Sequence, residues 1–332
     1  MKKTYIFIYS FMISTMLFAQ NPNLGSSGAQ FLKIPLGAKE SGMAGAVVGL
    51  TDGASSIFWN PAGIAKVQAT SLLFSYMKWF DLFDMNVAAV AYNLGDMGVI
   101  GASVVSFTTG QIEITTELSP NGTGQYYDVQ DLAIGITYAR YLTSDFNVGV
   151  TVKYINQGIW HENATGFAFD IGTQYSLDFQ NLTIAMSMTN FGSNLRFEGS
   201  DLEARKGYDP NFPLSRLAPT DLRTSDYPLP LNFQVGIGFD VYNSDFIKII
   251  GGIDAVHPND NSERLQFGTQ ISAFERFFVR GGYLYNHDTQ NFALGAGVNL
   301  PLGNTTIQFD YSYSNYDILP VVHRISVGLN IL

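Results

Sequence analysis

Histidine is the side chain best placed to move protons near neutral pH, and this chain carries four: His161, His257, His287 and His323. A hydrolytic site on a barrel wall would need one of them beside a serine and a polar orienting group. His161, His257 and His287 fall in or beside connectors, and His323 opens the final run "HRISVGLNIL". Each reads as a solvated or structural side chain. "GSSG" at 25–28 is not a nucleophile elbow, since no strand precedes it and no helix clearly follows. "HPNDNSER" at 257–264 offers oxygen ligands without the spacing of a calcium loop and reads as a polar turn. "GAKESGMAGA" at 37–46 lacks the Gly-Lys-Ser/Thr that closes a phosphate loop. The absence of cysteine excludes disulfides, thiolate metal sites and a cysteine-linked lipid anchor. The expectation is a protein that is not an enzyme, with no catalytic residues, no metal and no cofactor.

What, then, do the elements position? Charged residues make up 14% of the 332 positions, well below the usual share for soluble domains, while aromatics reach 14% and glycines number 33. Such a chain has surface to spare for an apolar medium. The formal net charge of −10 argues against a nucleic-acid partner. The segment 1–19 reads as a secretory signal peptide: Lys2 and Lys3, an apolar run from Ile6 to Phe18, then Ala19. No later run reaches the roughly 18 apolar residues of a membrane helix. If the exported chain crosses a membrane, it must do so with strands.

From about residue 70 the sequence alternates with a period of two. "FNVGVTVKY" sets Phe146, Val148, Val150, Val152 and Tyr154 against Asn147, Gly149, Thr151 and Lys153. "LNFQVGIGFDV" at 231–241 and the closing run do the same. Fourteen runs can be counted, near 70–79, 82–94, 97–107, 128–141, 145–157, 165–176, 181–191, 230–242, 245–256, 262–273, 276–286, 290–300, 304–315 and 319–332. Many last longer than ordinary strands and match the roughly 9 to 11 residues of a tilted spanning strand. Connectors after even-numbered runs are short, whereas those after runs three, five, seven and nine are longer. The longest, 192–229, is Pro-rich and carries Arg205, Lys206, Arg216 and Arg223 beside acidic residues. This sorting predicts an all-β, 14-stranded antiparallel transmembrane β-barrel over 70–332, with 192–229 as a long extracellular loop. Aromatics at run ends, including "YMKWF" at 76–80, Tyr141, Trp160, "YLY" at 283–285 and Tyr316, suit interfacial girdles.

Residues 20–69 do not alternate, and they are too few to fold alone. Their small residues, Gly42, Ala44, Gly45, Ala46 and Gly49, would let backbone lie against a barrel wall, so the segment is expected to be a small N-terminal plug. "IFWNPAGIA" at 57–65 would join plug to wall: Pro61 disfavours helix at Asn60, Gly63 permits a tight turn, and Phe58 and Trp59 can pack on apolar wall or contact a ligand.

The block "GAQFLKIPLGAKESGMAGAVVGLTDGASSIFWNPAGIAKV" (28–67), with "GMAGA" at 42–46, Asp52 and "WNPAG" at 59–63, resembles the N-terminal signature of the PorV/PorQ family. That family is related to the FadL-type transporters of hydrophobic compounds, barrels of fourteen strands with an N-terminal plug. The closing "HRISVGLNI" also fits, although the chain ends in Leu332 rather than an aromatic. The resemblance implies a bacterial outer-membrane protein in contact with outer-membrane lipid. It implies a non-enzymatic role in type IX secretion or cell-surface attachment, with secretion-machinery subunits or secreted cargo as partners and the 192–229 loop as their platform. The alternative reading is a FadL-like channel whose partner is a hydrophobic small molecule.

Overall fold

A computed structural model describes residues 23–206 and 218–331; the expected signal peptide, Arg216 and Leu332 lie outside the described residues. Fourteen antiparallel strands close into one barrel. They are β1 (Thr70–Trp79), β2 (Phe83–Asn93), β3 (Val99–Thr109), β4 (Val129–Tyr141), β5 (Phe146–Ile159), β6 (Glu162–Ser176) and β7 (Thr183–Gly192), then β8 (Asn232–Asn243), β9 (Ile247–Pro258), β10 (Arg264–Ala273), β11 (Phe277–Tyr285), β12 (Phe292–Leu302), β13 (Thr305–Ser314) and β14 (Val322–Ile331). Consecutive strands pair around the wall, and β1 meets β14 from Thr70↔Ile331 to Met77↔Arg324. Closure leaves no edge strand, as a hydrocarbon surround requires.

The alternation has the orientation of a membrane barrel. Val150 and Val152 of β5, Phe167 and Phe169 of β6, and Ile184 and Met186 of β7 point outward and are exposed. Asn147, Thr151, Gln174 and Ser187 on the same strands point inward and are buried. A soluble sandwich would place these two faces the other way round.

Two expectations change in detail. The connector after β5 is only 160–161, because β5 and β6 stay paired out to Ile159↔Glu162, beyond their apolar alternation. The long connectors are therefore 110–128 and 193–231, and both leave the same end of the barrel, called here the loop end. The opposite, turn end carries the even-numbered connectors. Nor do all the run-end aromatics face outward. Tyr141, Trp160, Tyr283 and Tyr285 are exposed, but Tyr316 is buried, and Trp79 and Phe80 pack against it inside the barrel. Trp79 continues the inward parity of Leu73 and Met77, and the left-handed Phe80 and Asp81 turn the chain at once into β2.

Residues 23–69 lie within the barrel. Their route is set by glycines of the wall. Gly238, Gly252, Gly268 and Gly282 are cross-strand neighbours on β8 to β11 and form a smooth inward track. A methyl group on Gly252 would stand 2.2 Å from the Ala46 carbonyl oxygen, and one on Gly268 would stand 2.6 Å from that of Met43. A second seat is made by Gly149 and Gly172 on β5 and β6, where added methyls would meet the Pro61 backbone at 2.4 Å and the Asn60 Oδ1 at 1.9 Å. Polar wall groups complete the anchorage. Asp254 of β9 accepts from the Val47 and Val48 amides at 2.8 and 2.9 Å, and Asn147 of β5 donates to the Ala62 carbonyl at 2.7 Å.

Candidate functional site

Above the seated segment, toward the loop end, is a cavity of about 620 Å³, a size typical of small-molecule sites. One side is aromatic. Trp79, Phe80, Phe83, Phe107 and Tyr316 border it from the wall, and Phe31, Phe58 and Trp59 from the plug. The Phe83 and Phe107 rings stack at 4.6 Å, and Tyr316 meets Trp79 and Phe80 edge-on at 5.3 Å. The other side is polar, with Asn232, Gln234, Arg264, Gln266 and His287 among its groups.

The plug tip forms part of this chamber and is latched at Asp260 in the β9–β10 connector. The Asp260 carboxylate accepts from Ser27, from Gln30 at 2.8 Å and from Lys33 at 2.8 Å. Burial opposes ionisation there, but the Lys33, Ser27 and Gln30 donors outweigh it and hold the Asp260 carboxyl below its ordinary range. Arg324, fully buried, ties the next residues in: its Nε donates to the Pro35 carbonyl at 3.1 Å and its Nη1 to Ser314 at 2.8 Å.

Below the plug, toward the turn end, two adjoining cavities of about 400 and 700 Å³ share Lys39, Glu40, Asp52 and Lys66. Lys39 pairs with Asp52. Arg280 pairs with Asp310 at 2.7 Å and donates to Gln270 at 2.6 Å. Burial pushes the Glu40 carboxyl up, although Lys39 and a bond from Ser55 pull the other way. This lower space is charged where the upper one is aromatic.

The expected plug and hinge residues lie between the two spaces. Phe58 and Trp59 border the upper chamber, and the Trp59 indole donates to the Leu36 carbonyl at 3.0 Å. Asn60 is fully buried and caps a short 3-10 helix, Pro61–Lys66: its Oδ1 accepts from the Ala62 amide at 3.2 Å, while its Nδ2 donates to the carbonyls of Val48 and Thr173. Pro61 at the first helical position gives up no needed donor. Gly63 packs on Ser56 with no room for a side chain. Of the four loop cations, Arg205 and Lys206 lie in a two-stranded ribbon, Arg223 is exposed 3.7 Å from Asp226, and Arg216 is outside the described residues. Arg223 is not among the residues that border the chamber with Phe58 and Trp59. The roots of that loop instead fold over the barrel mouth, where Leu195 and Leu229 join the buried cluster and Tyr227 donates to Gln157.

Arg264, Asp254, Phe83 and Phe107 were not singled out in the sequence, and Trp79 was read there as an interfacial girdle aromatic. Their signal was present: each sits at an inward position of its run. The described residues contain no group of three or more His, Asp or Glu able to hold a metal.

The wall has one marked irregularity beside the upper chamber. Between Phe169↔Phe191 and Ile171↔Met188, β7 carries two residues against one on β6. Asn190 bulges in a left-handed conformation (φ 63°), and its amide donates to Asp170 at 2.8 Å, which also pairs with Lys153 at 2.8 Å. The β7–β8 ladder ends at Thr189↔Asn232, so Asn190–Gly192 have no partner on β8.

No protein-family model matches the chain. Similar solved structures include two toluene transporters and a FadL homologue. The toluene transporter TbuX of Ralstonia pickettii matches at TM-score 0.57 and 14% identity over 90% of this chain and 98% of that one. The toluene transporter TodX of Pseudomonas putida matches at 0.55 and 10%, over 89% and 96%. A FadL homologue of Pseudomonas aeruginosa matches at 0.53 and 10%, over 90% and 98%. At these identities the likeness establishes the fold, a FadL-like barrel of the outer-membrane kind. A stretch of 56 residues is 41% identical to the outer membrane transporter CdiB of Escherichia coli O6:K15:H31 (strain 536 / UPEC); it covers 16% of this chain and only 9% of that protein.

Proposed function

We propose that this chain is a non-enzymatic channel that takes up hydrophobic small molecules across the bacterial outer membrane. The observation that carries the reading is the aromatic chamber of about 620 Å³, separated from the turn end by the plug seated beneath it. A bare polar pore would offer such a solute nothing, whereas aromatic walls favour it by roughly 25 cal/mol per Å² of apolar surface buried. The loop end faces outward, as in barrels with short periplasmic turns. The solute enters beside the folded roots of the 193–231 connector and rests against Trp79 and Phe107. It leaves sideways at the β7–β8 seam, where the ladder has already ended and Asn190 bulges. The toluene transporters of the same fold lend this reading support. The secretion-linked reading, first implied by the 28–67 block, gains none from the comparisons.

The test is uptake of radiolabelled toluene by cells carrying or lacking the chain. Faster uptake with the chain is expected, and deletion of Asn190, which restores β6–β7 register, should return it to the background rate while the barrel still assembles. Equal uptake with and without the chain would overturn the reading.

A further inference from the structure

The polar side of the upper chamber is not what a carrier of pure hydrocarbon needs. Arg264 points inward from the top of β10, and its Nε is buried with no hydrogen-bond partner among the described residues. No carboxylate of the described residues lies within ion-pairing distance of it. Asp260 is taken up by Lys33, Ser27 and Gln30, and Asp288 accepts from Asn261 at 3.0 Å. His287 stands nearby. Its Nδ1 accepts from the Thr289 and Gln290 amides at 3.2 and 3.0 Å, so the hydrogen of the neutral ring sits on Nε2 and is available to donate. Burial, with the Arg264 charge beside it, pushes the His287 pKa down to about 4, so the ring is neutral at physiological pH. The chamber thus has a donor-rich corner. Tyr316 links it to the aromatic side, lying in the field of Arg264 and 5.3 Å from both the Trp79 and Phe80 rings.

Resting on the proposed uptake role, we propose that the chamber selects hydrophobic molecules carrying one uncharged oxygen acceptor, such as a ketone, ester or alcohol. The acceptor meets Arg264 and His287, and the apolar body lies on the Trp79–Phe107 side. A pure hydrocarbon would strip water from the half-buried Arg264 guanidinium and return no hydrogen bond, which is costly. A carboxylate fares no better, because it gives up far more hydration than a ketone on entry and the chamber lining as a whole carries no positive surplus. Lys33 and Arg264 are matched by Asp131 and Asp288 on the lining, with Asp260 behind Lys33.

Equilibrium dialysis of the full chain in lipid nanodiscs, against empty nanodiscs, tests this with three probes of similar body: ethylbenzene, acetophenone and benzoate. Acetophenone should bind about tenfold more tightly than ethylbenzene, and benzoate no more tightly than ethylbenzene. Arg264→Met should bring the acetophenone-to-ethylbenzene ratio close to one, and Arg264→Lys should restore part of it. The wild-type ratio needs no variant to fold. Equal binding of ethylbenzene and acetophenone would overturn the selectivity and leave the uptake role standing, as would a preference for benzoate. Binding of none of the three above empty nanodiscs would overturn the uptake role itself.

Discussion

The two spaces inside this barrel differ in what they can hold. The loop-end chamber is walled by stacked and edge-on aromatics, whereas the turn-end cavities are ringed by Lys39, Asp52, Lys66 and the Arg280–Asp310 pair. Between them the plug rests on wall glycines, so backbone meets backbone and no gap of ligand size remains along that track. The difference teaches that the plug is a partition as much as a stopper. On the proposed uptake reading, it would keep an apolar solute on the side where burial favours it and leave water and ions on the other.

The largest effect should come from spoiling the track. Gly252→Val would drive a side chain into the Ala46 carbonyl; overpacking of this kind costs about 1–3 kcal/mol or displaces the segment outright. Planar-bilayer recordings should then show sustained ion conductance that the native chain lacks, with the two spaces merged. An unchanged, silent bilayer would break the partition account.

Next comes the hinge. Asn60→Ala leaves the Ala62 amide without its cap and takes one donor from each of the Val48 and Thr173 carbonyls, although Gln174 still donates to Val48; the orphaned amide alone costs about 1–3 kcal/mol. Limited proteolysis should cut within 37–66 while the barrel keeps its resistance to heat in detergent. Loss of the barrel as well would mean that Asn60 serves the wall and not the partition.

A smaller effect should separate the two spaces directly. Phe107→Ala removes one wall of the stacked pair and should weaken hydrophobe binding about tenfold. Lys66→Ala at the turn end should change binding by less than about twofold, since a partly solvated charge contributes little. Comparable losses from both would erase the distinction between the chambers.

The smallest effect concerns pH. The Asp260 carboxyl is held below its ordinary range, so it contributes stability above its unfolded pKa that is lost as pH falls through the folded value. The protection of the amides at 25–33, corrected for the intrinsic pH dependence of hydrogen exchange, should therefore stay high near neutral pH and fall as pH drops below about 4. Asp260→Asn should exchange quickly throughout and show no such step.

The wall of this molecule was legible in its sequence because a barrel strand has two neighbours and two faces, and both leave a local trace. The alternation in "FNVGVTVKY" sufficed for β5, and all fourteen runs coincide with strands to within a few residues. Residues such as Gly42 and Ala46 likewise announced a segment that packs closely. What it packs against was hidden. Gly252 and Gly268 look like any strand glycines, and only the register that aligns them with Gly238 and Gly282 makes a track. The inward turn of Trp79 was equally opaque, since an aromatic at a strand end suits the girdle and the lumen alike. Asn190 gave no signal at all, because a bulge is defined by a pairing partner on another strand.

The most direct test is to soak crystals of the full chain with 1-bromo-4-ethylbenzene and locate the bromine by anomalous scattering. The partition account predicts a bromine peak in the loop-end chamber, bordered by Trp79, Phe83 and Phe107. A peak confined to the turn-end cavities beside Lys39 and Lys66, or none inside the barrel, would contradict it.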